Sequence, residues 1–534
     1  MVLSIVGTND LHGRVAMLPW LAGHVANLRR ARESDGAVLL LDGGDMFQGT
    51  LESNLEEGAS VVRAYNALGY TAATLGNHEF DYGPAGEGSF ARTPDEDQHG
   101  ALRARAREAR FPLLAANIVD AASHNPVAWE NVRPTLMVTA AGVRVGLLGV
   151  STESTPRTTL SVNFRGLAMR PLADTIRARA EELRREGAAV VVVLAHAGGS
   201  CRRFNDPDDL STCDADEEIF QVARALPAGA VDAIVAGHTH RGVAHVVNGI
   251  PVLESFANGQ AFGRIDLTVD ASTGRVLGRR LFAPHNVCGR ASRDEPDPAR
   301  CEPDAYEGAA VTPDGAVRDA VAPAIEAARS ARERPLGVTV LEPVTTRYRD
   351  ESALTNLVAD MMRAASPGAD VALMNAGGVR TDLPVGALDY GRLYTVLPFD
   401  NRLVTVHLRG AALRELLARN AREDSGTLGI AGARVVVQCE GDRATARVTR
   451  DDGRPVADDE TVTVVTNDYL AQGSFARHLA EPLTDDAIVA SPTLRDAVAR
   501  ALAAAGPLRG TDPRWFDAAH PRITLPTARP VRCP

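Results

Sequence analysis

Lysine is absent from the 534 residues, so all 57 basic residues are arginine. Chemistry that needs a P-loop lysine under a phosphate, or a lysine Schiff base, is thereby removed. With the abundant alanine, the arginine bias reads as coding bias from a GC-rich genome. Positive charge is short overall: the net charge of −11 argues against a binder of polymeric nucleic acid, which needs a broad basic surface. It leaves room for a small anion held by local cations. Long apolar runs are missing as well. Residues 188–195 fall well short of the roughly 20 that span a bilayer as a helix, so no transmembrane segment is expected. The six cysteines, at positions 201, 213, 288, 301, 439 and 533, include no CxxC pair, which argues against a thiolate zinc site.

An even cysteine count in hydrophilic stretches suits disulfides made in an oxidising compartment. Cys201 with Cys213 and Cys288 with Cys301 would close short loops, leaving Cys439 with Cys533. Spacing alone leaves the connectivity open, and free thiols remain an alternative. Met1 runs directly into a strand-like Val2–Val6 without a leader. The protein is therefore expected to be secreted, periplasmic or at the cell surface after removal of a signal peptide, or cytoplasmic if there was none.

The length exceeds what one hydrophobic core serves, so two domains are expected. Up to about residue 270, short apolar runs (37–41, 143–150, 189–194, 231–235) alternate with Arg/Glu/Ala-rich helical stretches (19–33, 172–185). Such runs, without polar alternation, suit strands covered on both faces by helices, hence a layered α/β domain. Residues 284–312 read as loop, and 314–334 have helical spacing. We place a first domain over 1–310, a linker helix over 311–335 and a smaller α/β (α+β) domain over 336–534. The second has strands near 371–374, 403–407 and 461–466 and helices near 354–365 and 411–419.

Polar residues fall where apolar runs end. Thr8-Asn9-Asp10-Leu11-His12-Gly13, Asp42-Gly43-Gly44-Asp45, Gly76-Asn77-His78-Glu79-Phe80-Asp81, Ala195-His196-Ala197-Gly198 and Gly237-His238-Thr239-His240 each follow one. Strand ends are where open α/β sheets carry ligand sites. One such segment alone is ordinary loop chemistry; five together point to metal. Imidazole with carboxylate suits Zn²⁺, Mn²⁺, Co²⁺ or Fe²⁺ better than Ca²⁺ or Mg²⁺. Two cations sharing a carboxylate would activate water and clamp a phosphoryl group, so no Ser or Cys nucleophile is required.

The order DxH, GD, GNHEFD, H, GHxH resembles the calcineurin-like metallophosphoesterases. TNDLHG, DGGDMFQGT and LGNHEFDYG resemble their 5′-nucleotidase and UDP-sugar hydrolase branch. The resemblance implies an αββα first domain in which Asp10, His12 and His240 hold one ion and Asn77, His196 and His238 the other, with Asp45 bridging. It implies that His78 and Asp81 act as a catalytic dyad steadying charge on the transferring phosphoryl group. Asp42 and Glu79 are read as supporting or turn residues.

Asn375-Ala376-Gly377-Gly378-Val379-Arg380 is similar to the NxGGxR segment of the 5′-nucleotidase C-terminal domain. The resemblance implies that Asn375, Gly377, Gly378, Arg380 and Asn401 contact substrate, and that Phe399 and Tyr469 sandwich the base. Arg347 and Arg349 are further phosphate candidates. Where the family carries an Asp near the ribose, this chain runs Ala471-Gln472-Gly473-Ser474-Phe475 instead, which weakens the expected grip on ribose. The expected activity is hydrolysis of nucleotide phosphomonoesters, by a monomer or dimer. The alternatives are a 2′,3′-cyclic phosphodiesterase or 3′-nucleotidase, a UDP-sugar hydrolase, a thiosulfonate hydrolase, and an inactive nucleoside-binding surface protein.

Overall fold

The computed structural model describes the whole chain except residues 87–90, 92, 94, 289–297, 303, 304, 424, 474, 482–486, 488–490 and 534, and the side chain of Ser161. Two compact units divide it, Met1–Ala328 and Arg329–Pro534.

In the first unit a seven-stranded sheet runs, edge to edge, through Val276–Asn286, Ala261–Val269, Val2–Thr8, Gly36–Asp42, Ala72–Thr74, Leu113–Leu114 and Val132–Arg133. A six-stranded sheet runs through Gly242–Val247, Ile250–Ser255, Ala233–Ala236, Val190–His196, Val143–Ser151 and Thr135–Ala140. Side chains alternate across each strand, and this sorts the core into layers. Leu3, Ile5, Leu39 and Leu41 meet Val145, Leu147, Val190, Val192 and Leu194 between the sheets. Val6 and Leu40 face the helix Leu18–Ala31. Val191 and Val193 face the helices Leu172–Arg185 and Glu218–Ala225. The arrangement is an αββα sandwich.

Val2–Thr8, Gly36–Asp42 and Ala72–Thr74 are mutually parallel, and so are Val190–His196 and Ala233–Ala236. Their C-terminal ends therefore deliver all five polar segments. Among the described residues of 284–312, expected as loop, three short stretches are strand. Cross-strand hydrogen bonding carries the strand Val276–Asn286 into this segment, and Ala305–Tyr306 pairs with Ala309–Ala310. Within it, residues 289–297, 303 and 304 lie outside the described residues. The helix Gly315–Arg332 buries Val317 and Val321 in the first unit's core.

The second unit has a four-stranded sheet, Leu403–Arg409, Thr461–Asn467, Val371–Asn375 and Leu428–Ala431. It is backed by the helices Ala353–Ala364 and Leu494–Leu502. Cys201–Cys213, Cys288–Cys301 and Cys439–Cys533 are disulfides. No helix among the described residues is long and apolar enough to cross a membrane.

Candidate metal centre

Strain collects where the polar segments meet. Asp10, His12, Asp45, His238 and His240 have φ of 51°, 49°, 57°, 87° and 58°, a left-handed conformation uncommon outside glycine, costing roughly 1–3 kcal/mol each. Interlocked loops hold them there. Asp10 N donates to Gly44 O at 2.9 Å, His12 N to Asp45 O at 3.0 Å and Gly13 N to Met46 O at 2.9 Å. The buried Glu79 carboxylate accepts from the backbone N–H groups of Asp45, Met46, Phe47 and Gly76 at 2.9, 2.7, 3.3 and 2.6 Å. It ties the second loop to the third. Glu254, also buried, accepts from Gly199 N at 2.9 Å and from Thr239 N and Oγ1 at 3.2 and 2.7 Å, and so ties the fourth to the fifth. Sequence reading missed Glu254; its signal is an acid inside the apolar strand Ile250–Ser255.

The hydrogen bonds fix which atoms face inward. A carbonyl only accepts, so His12 Nδ1, 2.8 Å from Gln48 O, carries the proton and leaves a lone pair on Nε2. That Nε2 lies 2.9 Å from His240 Nε2 and 3.9 Å from both Asp10 Oδ1 and Asp45 Oδ2. Asp10 Oδ1, 3.4 Å from His240 Nε2, is buried with no hydrogen-bond partner. His196 Nδ1 is likewise committed to Gly43 O at 2.9 Å, turning its Nε2 lone pair toward Asn77 Oδ1, Asp45 Oδ2 and His238 Nδ1 at 3.0, 3.1 and 3.2 Å. Asn77 Nδ2 donates to Thr158 O at 3.0 Å, which sets the amide with its oxygen inward. Acceptors crowded against acceptors repel unless a cation lies among them. The donor set and the orphaned Asp10 oxygen both fit divalent metal, at Asp10–His12–His240 and at Asp45–His196–His238 with Asn77.

The protein's own electrostatics run the same way. Burial lowers His12 and His238 to about 4, keeping both neutral and able to ligate. Burial alone would raise Asp45, but His196 and His78 outweigh it and hold the carboxyl well below its usual range. Burial works against protonation of His196, yet the Asp45 carboxylate lifts it to about 10, a demand for positive charge that a cation also meets. Asp10, too, is lowered: His240 and His196 outweigh its burial. Burial pushes Asp42 and Glu79 up to about 7.

His78 stands beside this cluster, its ring centroid 5.3 Å from that of His12. Its Nδ1 donates to Asp81 Oδ2 at 2.5 Å, and Thr159 Oγ1 donates to Asp81 Oδ1 at 2.9 Å. Burial disfavours the imidazolium, but Asp81 and Asp45 prevail and carry it to about 10. Arg14, two residues past His12, has a buried Nε without a hydrogen-bond partner. It is a candidate anion contact that sequence reading passed over.

In the second unit, Asn375, Gly377, Gly378, Arg380, Phe399, Asn401 and Tyr469 line one cleft of about 500 Å³. Phe399 and Tyr469 are 42% and 66% exposed, unusual for large rings on a folded surface. The Arg380 guanidinium lies 5.8 Å from the Phe399 centroid. Arg347 and Arg349 are exposed and stand outside the lining; Tyr348, between them, belongs to it. A Cβ on Gly426 would meet the Tyr348 ring at 2.9 Å, so glycine there lets the ring approach the backbone closely. Phe475, which ends the shortened run after Tyr469, is buried and also lines the cleft, whereas Ser474 lies outside the described residues. Arg419, Asn420, Glu423 and Ser425 are further polar residues of the wall that went unnoticed in sequence.

Comparison with known proteins follows the two units. Residues 3–242 match the calcineurin-like phosphoesterase family and residues 335–476 the 5′-nucleotidase C-terminal domain. The endonuclease YhcR of Bacillus subtilis is 24% identical over 503 residues, covering 89% of this chain but 37% of its own length. The protein UshA of Yersinia enterocolitica is 25% identical over 511 residues, covering 88% of this chain and 85% of its own. The 5′-nucleotidase precursor structure from Thermus thermophilus superposes with a TM-score of 0.65 at 23% identity, over 98% of this chain and 99% of that one.

Proposed function

The chain belongs to the calcineurin-like phosphoesterases that carry a 5′-nucleotidase C-terminal domain, and from that premise we propose that it hydrolyses nucleotide phosphomonoesters to nucleoside and phosphate. What supports the reading is the convergence of two groups of lone pairs on the shared Asp45 Oδ2, with the His78–Asp81 pair alongside. Asp10, His12, His240, Asn77, His196, His238 and Asp45 would hold divalent cations, which would supply the Lewis acidity needed to activate water and polarise a phosphoryl group. The chain's remaining work is positioning and charge. His78, oriented and kept cationic by Asp81, donates toward the oxygen on which negative charge develops, favouring the transition state over the ground state. Thr159 and Asp81 together stop the ring from turning. In the second unit, Phe399 and Tyr469 offer π-faces for a nucleobase, which stack any base with similar strength, and Arg380 offers a fork for phosphate. The metal is Zn²⁺, Mn²⁺, Co²⁺ or Fe²⁺, and the disulfides suit a secreted or periplasmic setting.

The test is phosphate release from AMP with added Mn²⁺, Co²⁺ or Zn²⁺, beside p-nitrophenyl phosphate and bis(p-nitrophenyl) phosphate. Replacing His78 by Asn is expected to lower kcat on AMP by roughly 10²–10³-fold. Turnover of the nitrophenyl esters without AMP would keep the metal chemistry and reject the nucleotide.

A further inference from the structure

The helix Gly410–Arg422 contributes Leu416, Arg419 and Asn420 to the cleft of the second unit, and Ser425, beyond its end, lines the cleft as well. Arg419 Nε donates to Glu423 Oε1 at 2.6 Å, one turn further on, so the guanidinium is held in place. Its Nη1 is buried without a hydrogen-bond partner, and so is the Ser425 hydroxyl. Asn420 Nδ2 donates to Gly426 O at 3.0 Å, next to Ser425. A guanidinium can only donate, and Arg419 lines the cleft with its Nε side tied to Glu423. A ligand in this cleft therefore gains most by presenting acceptors to Arg419.

Resting on the nucleotide reading above, we propose that Arg419, with Ser425, reads the oxo face of the base and makes this enzyme prefer 6-oxopurine nucleotides over adenosine nucleotides. A 6-oxopurine carries O6 and N7, two adjacent acceptors that match an arginine fork. Adenine carries N7 beside the N6 amino group, which sets donor against donor. Phe399 and Tyr469 stack either ring equally well, so discrimination falls to the edge of the base. The family resemblance assigns Arg419 no role.

The experiment compares kcat/KM for inosine and adenosine monophosphates on the full chain with saturating Mn²⁺, then repeats it with Arg419→Gln. The wild type is expected to favour inosine monophosphate by at least about fivefold. The ratio is expected to fall to within about twofold of unity in the variant, chiefly through loss on the inosine nucleotide. A wild-type ratio at or below unity overturns the proposal. So does an equal loss on both nucleotides in the variant, which would assign the guanidinium to phosphate. Should a thermal melt show the variant unfolded, inosine and adenosine as competitive inhibitors of the wild type decide: tighter inosine supports the proposal, equal constants overturn it. Equal turnover of the two nucleotides leaves the nucleotide reading standing, whereas turnover of p-nitrophenyl phosphate with neither nucleotide brings down both.

Discussion

Asp45 uses its two oxygens differently: Oδ1 accepts from His78 N at 2.9 Å, and Oδ2 faces both His12 and His196. One residue thus fixes the third loop and joins the two ligand groups. Asp45→Asn keeps one acceptor and puts a donor or a neutral oxygen where charge is needed. It is expected to lose metal, read by elemental analysis after dialysis, and to lose more than about 100-fold in kcat/KM. Wild-type metal content in the variant would remove Asp45 from the shared position. A second residue-scale prediction concerns Asp468 in the second unit. Its Oδ1 accepts from Tyr469 N at 2.8 Å while Oδ2 is buried without a partner, and burial lifts the carboxyl from 3.8 to about 6. Because the folded carboxyl binds its proton more tightly than the unfolded one, its contribution to stability is full below about pH 4 and is lost as pH rises through about 6. Relative to Asp468→Asn, the wild type should lose up to roughly 3 kcal/mol over that window. Urea unfolding of both proteins at about pH 4 and about pH 7 measures it, and a pH-independent difference would contradict the assignment.

At the scale of elements, the two sheets approach closely at Gly149 in the strand Val143–Ser151. A Cβ there would lie 2.3 Å from Leu114 Cβ and 2.7 Å from Thr74 Oγ1, across the interface between sheets. Gly149→Ala is expected to cost about 1–3 kcal/mol by overpacking. Gly278→Ala, where nothing lies within 4 Å, should be near neutral, and thermal unfolding compares the two directly. The disulfides rank by the chain they close. Cys439–Cys533 spans 94 residues and Cys201–Cys213 spans 12, so on the chain-entropy account the first stabilises by about 4–5 kcal/mol and the second by about 3. Paired serine substitutions, followed by denaturant unfolding, should reproduce that order.

At the scale of the whole molecule, each unit has its own core, and all candidate ligands belong to the first. A chelator should therefore lower the unfolding temperature of the first unit and spare the second, since only a state that binds metal is stabilised by it. Calorimetry with and without EDTA separates these outcomes, and an equal shift of both transitions would contradict it. The candidate metal ligands could be picked out in sequence because each follows an apolar strand and carries a side chain with few other reasons to be there. The layered fold was legible because runs such as Val190–Leu194 leave no polar face. Local pattern could not show Glu254 bonding to Gly199 across 55 residues, or Tyr348 rather than its flanking arginines entering the cleft. Nor could it show which oxygen of Asp45 turns to which imidazole. Residue type and strand periodicity are properties of neighbours along the chain, and they determined the chemistry and the layers. Lone-pair direction, shared ligands and unmatched buried donors arise only when distant segments are brought within hydrogen-bonding range, and those the tertiary structure decided.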